Sequence, residues 1–367
     1  MVAGSKGEIF LASSGEMPRI EVCAVHSMKS TPLPLQHPAP FQQAVIAWFE
    51  REGRDYPWRR TQQPYAILVS EMMLQQTQIA TVLGKRYFEN WLEQFPTVEA
   101  LAKADEATLL RAWEGLGYYR RARNLQRAAQ VVLQEHGGVF PSSVAELERL
   151  PGVGRYTAGA VATFAFDAPQ PIIDANIARV LARLCNYREE IDTSAGQAYL
   201  WDIATRLVPS QQARSYNSGL MELGQRLCTP RAPQCLLCPV RTHCAGTEND
   251  PEALPRKRPP RETVHLTEHV AWAQRTHSLL LHQEQGQRRQ GLWKLPERAA
   301  DYFIQHSAKL LFSTLYTITH HRVRLLVYEA PKLIPSDHES WQLLNDIPHL
   351  PMPSPYRKVV KHLTSLT

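Results

Sequence analysis

Between Phe41 and Ala245, apolar residues recur at the three-to-four spacing that places them on one face of a helix. In FQQAVIAWFERE that face is Phe41, Val45, Trp48 and Phe49. The stripe returns in TVEALAKADEATLLRAWEGL, in NLQRAAQVVLQEHGG, which closes on glycine, and in SVAELERL. The pattern predicts an all-α unit over residues 38–250. Residues 251–264, within PEALPRKRPPRETVH, read as a basic, proline-rich linker. Past them the period shortens to strand type in HSLLLHQ and ITHHRVRLLVYEA, which predicts a small mixed α/β domain over residues 265–367. Residues 1–37 have no period and many small and polar residues. They predict a disordered extension, with Met28 a candidate start.

Composition narrows the class. The chain has 367 residues, 44% hydrophobic and 21% charged, as expected of a soluble globular protein with more than one domain. A net charge of +6 suits a protein that binds a polyanion. No apolar run is long enough to span a membrane, and the N-terminus lacks a basic-then-apolar signal pattern. An intracellular, cytoplasmic protein is expected.

Four of the six cysteines stand together. Cys228, Cys235, Cys238 and Cys244 are spaced C-x6-C-x2-C-x5-C within CTPRAPQCLLCPVRTHC. Four thiolates this close can hold an iron–sulfur cluster or a tetrahedral zinc, or pair as disulfides. Nothing marks the chain as secreted, which disfavours disulfides. Zinc sites usually use two short C-x2-C clasps, so the long gaps favour the cluster. Cys23 and Cys185 are left over, and Cys185 lies in the apolar pattern of VLARLCNY as a core thiol.

Upstream, LPGVGRYTAGAVATFAF follows an amphipathic segment. Gly152 and Gly154 permit positive φ and close backbone approach, and a helix begins just after them. Its free N–H groups and dipole suit a phosphate. Asp174, in PQPIIDANIARVLARL, falls at a helix N-cap, where the dipole favours the ionised form. Glu71 has Ile67, Leu68 and Leu74 as helical neighbours, and a carboxyl in apolar company keeps its proton near neutral pH. An exposed first-turn glutamate is the plainer reading of that helix alone.

These segments resemble the MutY-type adenine DNA glycosylases of the endonuclease III superfamily. The cysteine spacing matches that branch's [4Fe-4S] loop, and Leu150 to Gly154 match its helix-hairpin-helix. Ser70-Glu71-Met72-Met73-Leu74-Gln75-Gln76-Thr77 looks like the family's SE-x-M-L-Q-Q-T segment. Tyr56-Pro57-Trp58-Arg59 resembles the entry to the adenine pocket, and Gly115-Leu116-Gly117-Tyr118-Tyr119 the GLGYY loop. Asp174-Ala175-Asn176 departs from the usual Asp-Gly-Asn, and Arg179 matches a family arginine close to the cluster. Ser218 is shorter than the glutamate or glutamine that relatives direct at adenine. Gly291-Leu292-Trp293 with Leu295-Pro296 resembles a landmark of the family's Nudix-like C-terminal domain. The run of glutamates needed by a hydrolytic Nudix site is missing. Ile318-Thr319-His320 aligns with the Phe-Ser-His loop that reads 8-oxoguanine; with an ordinary strand as the alternative, Thr319 and His320 keep a hydroxyl and a ring donor.

The resemblance implies a mainly α helix-hairpin-helix glycosylase fold with a cluster loop and a small Nudix-like domain. It implies monofunctional removal of adenine from A:8-oxoguanine or A:G pairs in duplex DNA, by a monomer that is nucleoid-associated if bacterial. Tyr156 stands where bifunctional relatives carry the lysine that forms a Schiff base, so the backbone is left intact. Glu71 would protonate the base and Asp174 stabilise the sugar cation, with Tyr156 and Asn176 positioning Asp174. Trp58 and Arg59 would receive adenine. Gln76, Thr77, Leu116 and Tyr118 would enter or line the duplex, with Gly152 and Gly154 on its backbone. Arg120, Arg121 and Arg123 would contact phosphates. Two other readings stand: a mismatch thymine glycosylase of the same superfamily, and a non-catalytic iron–sulfur DNA-binding protein.

Overall fold

The computed structural model describes Leu35 and residues 37–286 and 289–365. The expectations for the N-terminal extension, Met28 and Cys23 lie outside the described residues. Residues 38–253 hold helices: α1 (Pro38–Glu52), α2 (Pro64–Leu74), α3 (Ile79–Gly84), α4 (Tyr87–Gln94), α5 (Val98–Lys103), α6 (Glu106–Ala112) and α7 (Arg120–His136) come first. They are followed by α8 (Val144–Leu147), α9 (Arg155–Phe166), α10 (Ala175–Leu184), α11 (Ser194–Leu207) and α12 (Ala213–Arg226). Short 3-10 turns then carry the chain through the cysteine loop.

Local chemistry sets the helix limits. Thr97, Asp105, Ser143, Asp174 and Thr193 each accept an N–H of the first turn, capping α5, α6, α8, α10 and α11. Gly137 ends α7 at φ 60°. Helix α2 is apolar around its circumference and every residue from Tyr65 to Met73 is buried, which makes it the central helix of the first core. A second core joins α1 to α10, α11 and α12 through Phe41, Val45, Ile177, Leu181, Leu200 and Tyr216. Helices α2, α9 and α10 lie along the seam of these two cores.

The C-terminal lobe contains β1 (Val264–Trp272), β2 (Gln274–Arg275), β3 (Ser278–Gln283), β4 (Trp293–Lys294), α13 (Ala300–Gln305), β5 (Leu310–Ile318), β6 (His321–Glu329), β7 (Glu339–Leu343) and α14 (Ser354–Thr364). One sheet has the order β1-β6-β5, with β1 parallel and β5 antiparallel to β6. In the other, β3 pairs with β2, β4 and β7. Val270, Leu281, Leu325 and Val327 of the sheets pack against Val359 and Leu363 of α14. Thr319 and His320 form the turn between β5 and β6, with Thr319 at φ 54°, so they are hairpin-tip residues rather than strand residues.

The segment before β1 is tied down over its first half. Glu190 bridges to Arg256, and the Arg258 N–H donates to the Asp192 carboxylate at 3.1 Å.

Candidate active site

A cavity of about 1170 Å³ opens between α2, α9 and α10. It gathers Glu71, Tyr156, Asp174 and Asn176, with Trp58 and Arg59 from a 3-10 turn at Pro57–Arg59 and Ser218 from α12. These residues lie far apart in sequence, and six of the seven were marked as site residues from sequence.

Glu71 is 5% exposed, on the last turns of α2 among Ile67, Leu68 and Met72. It is therefore not an exposed first-turn residue. Burial pushes its carboxyl up from 4.5 to about 7, with Asp174 adding to the rise and the Tyr156 hydroxyl, which hydrogen-bonds to it, opposing it. Glu71 is thus about half protonated at neutral pH, in a cavity open to a ligand.

Asp174 caps α10: its Oδ1 accepts the Ile177 N–H at 2.7 Å and its Oδ2 the Asn176 amide at 2.8 Å. Burial raises its carboxyl while these two donors and the Arg179 charge pull it down. The helix N-terminus and donors favour its anion, so of the two carboxyls Glu71 keeps the proton. Asn176 is itself fixed, because Arg179 donates to its Oδ1 at 2.9 Å and to the carbonyls of Gly224 and Cys228 at 2.8 and 2.7 Å. Ala175 opens α10 in place of glycine without a positive φ.

Gln76, on the cavity lining, and Tyr118 are exposed and both adopt left-handed backbone, φ 56° and 46°. Between them lies an arginine whose role was misread from sequence. Arg121 is buried, not offered to phosphate. Its guanidinium donates to the carbonyls of Met72 and Met73 at the end of α2 and to those of Leu116 and Gly117, at 2.8 to 3.1 Å, and to the Gln75 carbonyl. Thr77 Oγ1 accepts from it as well, at 3.2 Å. One cation ties the two loops that carry Gln76 and Tyr118. Arg123 is likewise engaged, by Glu106 at 2.6 Å and by the Gln290 carbonyl, whereas Arg120 is exposed. Leu116 packs in the first core at 6% exposure, so most of its side chain is turned inward. Replacing Arg121 with methionine is expected to strand several carbonyls and to cost about 3 kcal/mol, read as a lower urea midpoint.

In the hairpin, Gly152 has φ 79°, and a Cβ there would stand 2.4 Å from Asn124 Nδ2. Gly154 differs from expectation: it caps α9 at φ −103°, so it needs no positive φ, and a Cβ there meets nothing within 4 Å. Its surroundings are open to an approaching backbone.

Glu222 was not singled out from sequence. Its side chain is fully buried on α12 and pairs with Arg59 at 2.5 Å and with Arg226 at 3.3 Å, and it accepts the Arg54 N–H at 3.0 Å. Arg59 lies over the Tyr56 ring at 4.8 Å, and Trp58 stacks on Tyr56 at 5.2 Å. The pocket arginine is thus held by an anion and by rings. The only sequence signal was Glu222 at helical spacing from Ser218 and Arg226.

The four loop cysteines carry free thiols. Burial pushes the Cys238 thiol up to about 12, and Cys228, Cys244 and Cys235 add to the rise, so the sulfurs are neighbours. Among the described residues no three His, Cys, Asp or Glu converge as ligands of a single ion do. A multi-iron cluster takes one thiolate per iron and spaces them wider. Arg183, buried on α10, donates to Cys228 Sγ at 3.3 Å and to the Thr229 carbonyl at 2.7 Å. Gathered thiols beside a buried cation fit an anionic cluster. Cys185 stays outside the set, partly buried against the second core, with its thiol pushed up to about 11 by burial.

Residues 69–205 match the HhH-GPD superfamily base excision DNA repair proteins. The chain is also similar to curated adenine DNA glycosylases, and it spans less than two thirds of their length. It is 41% identical over 213 residues to that of Rattus norvegicus and 42% identical over 197 residues to that of Mycobacterium tuberculosis. Those matches span 56% and 53% of this chain, and 41% and 64% of the two relatives. Among solved structures it resembles a thermostable thymine-DNA glycosylase with a TM-score of 0.52 at 29% identity, covering 57% of this chain and 96% of that one.

Proposed function

We propose that this protein is a monofunctional adenine DNA glycosylase that hydrolyses the N-glycosidic bond of adenine opposite 8-oxoguanine or guanine in duplex DNA. One observation carries the reading. A buried Glu71, its carboxyl raised to about 7, and an N-capping Asp174 face one cavity large enough for a nucleoside. Hairpin glycines and the first N–H groups of α9 hold the backbone phosphates. Gln76 and Tyr118 occupy the space left when the nucleotide turns out of the stack. The base enters between Trp58 and Arg59. The Glu71 proton passes to a ring nitrogen, so the base leaves as a neutral molecule. The Asp174 carboxylate stabilises the oxocarbenium character at the sugar carbon, and water completes hydrolysis. Tyr156 donates to Glu71 and, with Asn176, keeps the two carboxyls in place. Among the described residues that line the cavity Tyr156 stands at the helix start and none is a lysine, in keeping with base release without a Schiff base.

The C-terminal lobe, read here as Nudix-like, meets the opposite base with Thr319 and His320 at its hairpin tip. A [4Fe-4S] cluster would be held by Cys228, Cys235, Cys238 and Cys244, and it would supply a rigid loop whose Arg231 and Arg241 face the phosphates. The protein acts as an intracellular monomer in this reading.

The likeness to a thymine-DNA glycosylase favours a second reading, release of thymine from T:G pairs. Purified protein incubated with A:8-oxoguanine, A:G and T:G duplexes separates the two. Adenine release from the first two with an intact strand is expected, and release from T:G alone, or from none, rejects the proposal. Iron analysis of the same sample should give about four atoms per chain, falling together with folding when Cys238 is replaced by serine.

A further inference from the structure

The Tyr118 loop is held at both ends by the C-terminal lobe. Backbone at Gly115, Gly117 and Tyr118 is left-handed, φ 98°, 69° and 46°; glycine adopts this freely, but at Tyr118 it persists only with outside support. Part of that support is local. The Tyr87 hydroxyl donates to the Glu114 carbonyl at 2.8 Å and the Trp113 indole to the Gly117 carbonyl at 3.0 Å. The rest arrives from far along the chain. Arg357, on α14, forms a two-point ion pair with Glu114, Nε to Oε1 at 2.8 Å and Nη2 to Oε2 at 2.9 Å. The Met352 N–H donates to Glu114 Oε2 at 3.3 Å, and the Tyr119 hydroxyl donates to the Met352 carbonyl at 3.3 Å. Glu114 precedes the loop and Tyr119 ends it, so both of its feet rest on the segment leading into α14.

Arg357 is in turn anchored to its own lobe, donating to the Ile347 carbonyl at 2.7 Å and to that of Leu350. The pair is mostly shielded from water, with side-chain exposures of 21% and 11%, where a bidentate contact is stronger than a surface ion pair. Arg111 also reaches Glu114 at 2.9 Å but is 44% exposed and belongs to the same helical domain. Leu292 of the C-terminal lobe is fully buried in the helical core and fixes the lobe against it.

We propose that Glu114 and Arg357 are positioning residues through which the C-terminal lobe sets the shape of the Tyr118 loop, and with it the extent to which the target nucleotide is displaced from the duplex. The inference rests on the adenine glycosylase reading and adds a physical link between the lobe facing one strand and the side chain entering the other.

The test uses Glu114→Gln, Arg357→Met and the double variant, each in the full chain. A duplex with 2-aminopurine in place of the target adenine reports displacement by its fluorescence, and adenine duplexes report single-turnover release. Each single variant is expected to lower the fluorescence rise and the release rate about tenfold while changing duplex affinity less than about threefold, and the double variant should match the singles. Thermal melting confirms that the variants fold. If Arg357→Met does not, the isosteric Glu114→Gln carries the test. Folded variants with wild-type fluorescence and rate, or a double variant whose losses multiply, overturn the link alone. A wild-type protein that releases no adenine overturns the underlying reading instead.

Discussion

Glu71→Gln should lower adenine release by about 10²- to 10⁴-fold, the range that a positioned general acid contributes. Glutamine matches the volume of the carboxyl and keeps an acceptor for Tyr156, so the cavity and duplex affinity should survive. What is lost is the proton. Single-turnover release from an A:8-oxoguanine duplex, with affinity measured in parallel, checks this. Release within about tenfold of wild type would remove Glu71 from the chemistry. The wild-type rate should also fall as pH rises past about 7, because the acid form is then depleted.

The same burial has a consequence for stability with the opposite sign. The Glu71 carboxyl titrates at about 7 in the fold against an ordinary 4.5, so the folded chain binds this proton more tightly than the unfolded chain does. Its stabilising contribution is complete below pH 4.5 and disappears as pH rises through about 7. Above that pH the fold carries a buried charge that glutamine lacks. The catalytically dead variant should therefore be more stable than wild type at pH 8, by up to about 3 kcal/mol, and gain nothing at acid pH. Urea titrations at the two pH values read the difference. A site that strains the protein holding it is an ordinary sign of function.

The divide between what was legible in the sequence and what was not follows interaction range. Asp174 could be found because it sits in a local pattern, a helix cap, that already states its environment, whereas the helix around Glu71 alone reads more plainly as exposed and only the family resemblance brings Glu71 forward. The cysteine loop is legible for the same reason as Asp174. Charge runs are poorer guides. Arg120, Arg121 and Arg123 look alike in sequence, yet the first is exposed, the second binds the carbonyls of two loops and the third is paired with Glu106. Which way a helical side chain points depends on what packs beside it, and that is not local information. Glu222 under Arg59, and Glu114 under Arg357, join residues distant in the chain and left no sign in either segment alone. Leu116 was misplaced because a loop rich in glycine and tyrosine reads as surface, although its leucine turns inward.

Asp174→Asn provides the sharper separation of chemistry from architecture. Asparagine caps a helix about as well as aspartate, so α10 keeps its start and the Ile177 N–H keeps its acceptor. Stability should change little, whereas Asp174→Ala, which removes the cap, should cost about 1 kcal/mol. Base release should fall by about 10³-fold or more in both, because neither side chain offers a negative charge to a cationic sugar in a cavity where water cannot substitute for it. A purely structural aspartate would order the variants differently, with asparagine close to wild type and alanine impaired. Release rates and melting temperatures for the three proteins distinguish the cases. An asparagine variant that keeps most of its activity would leave Asp174 a helix cap and return the search for the anion to the rest of the cavity.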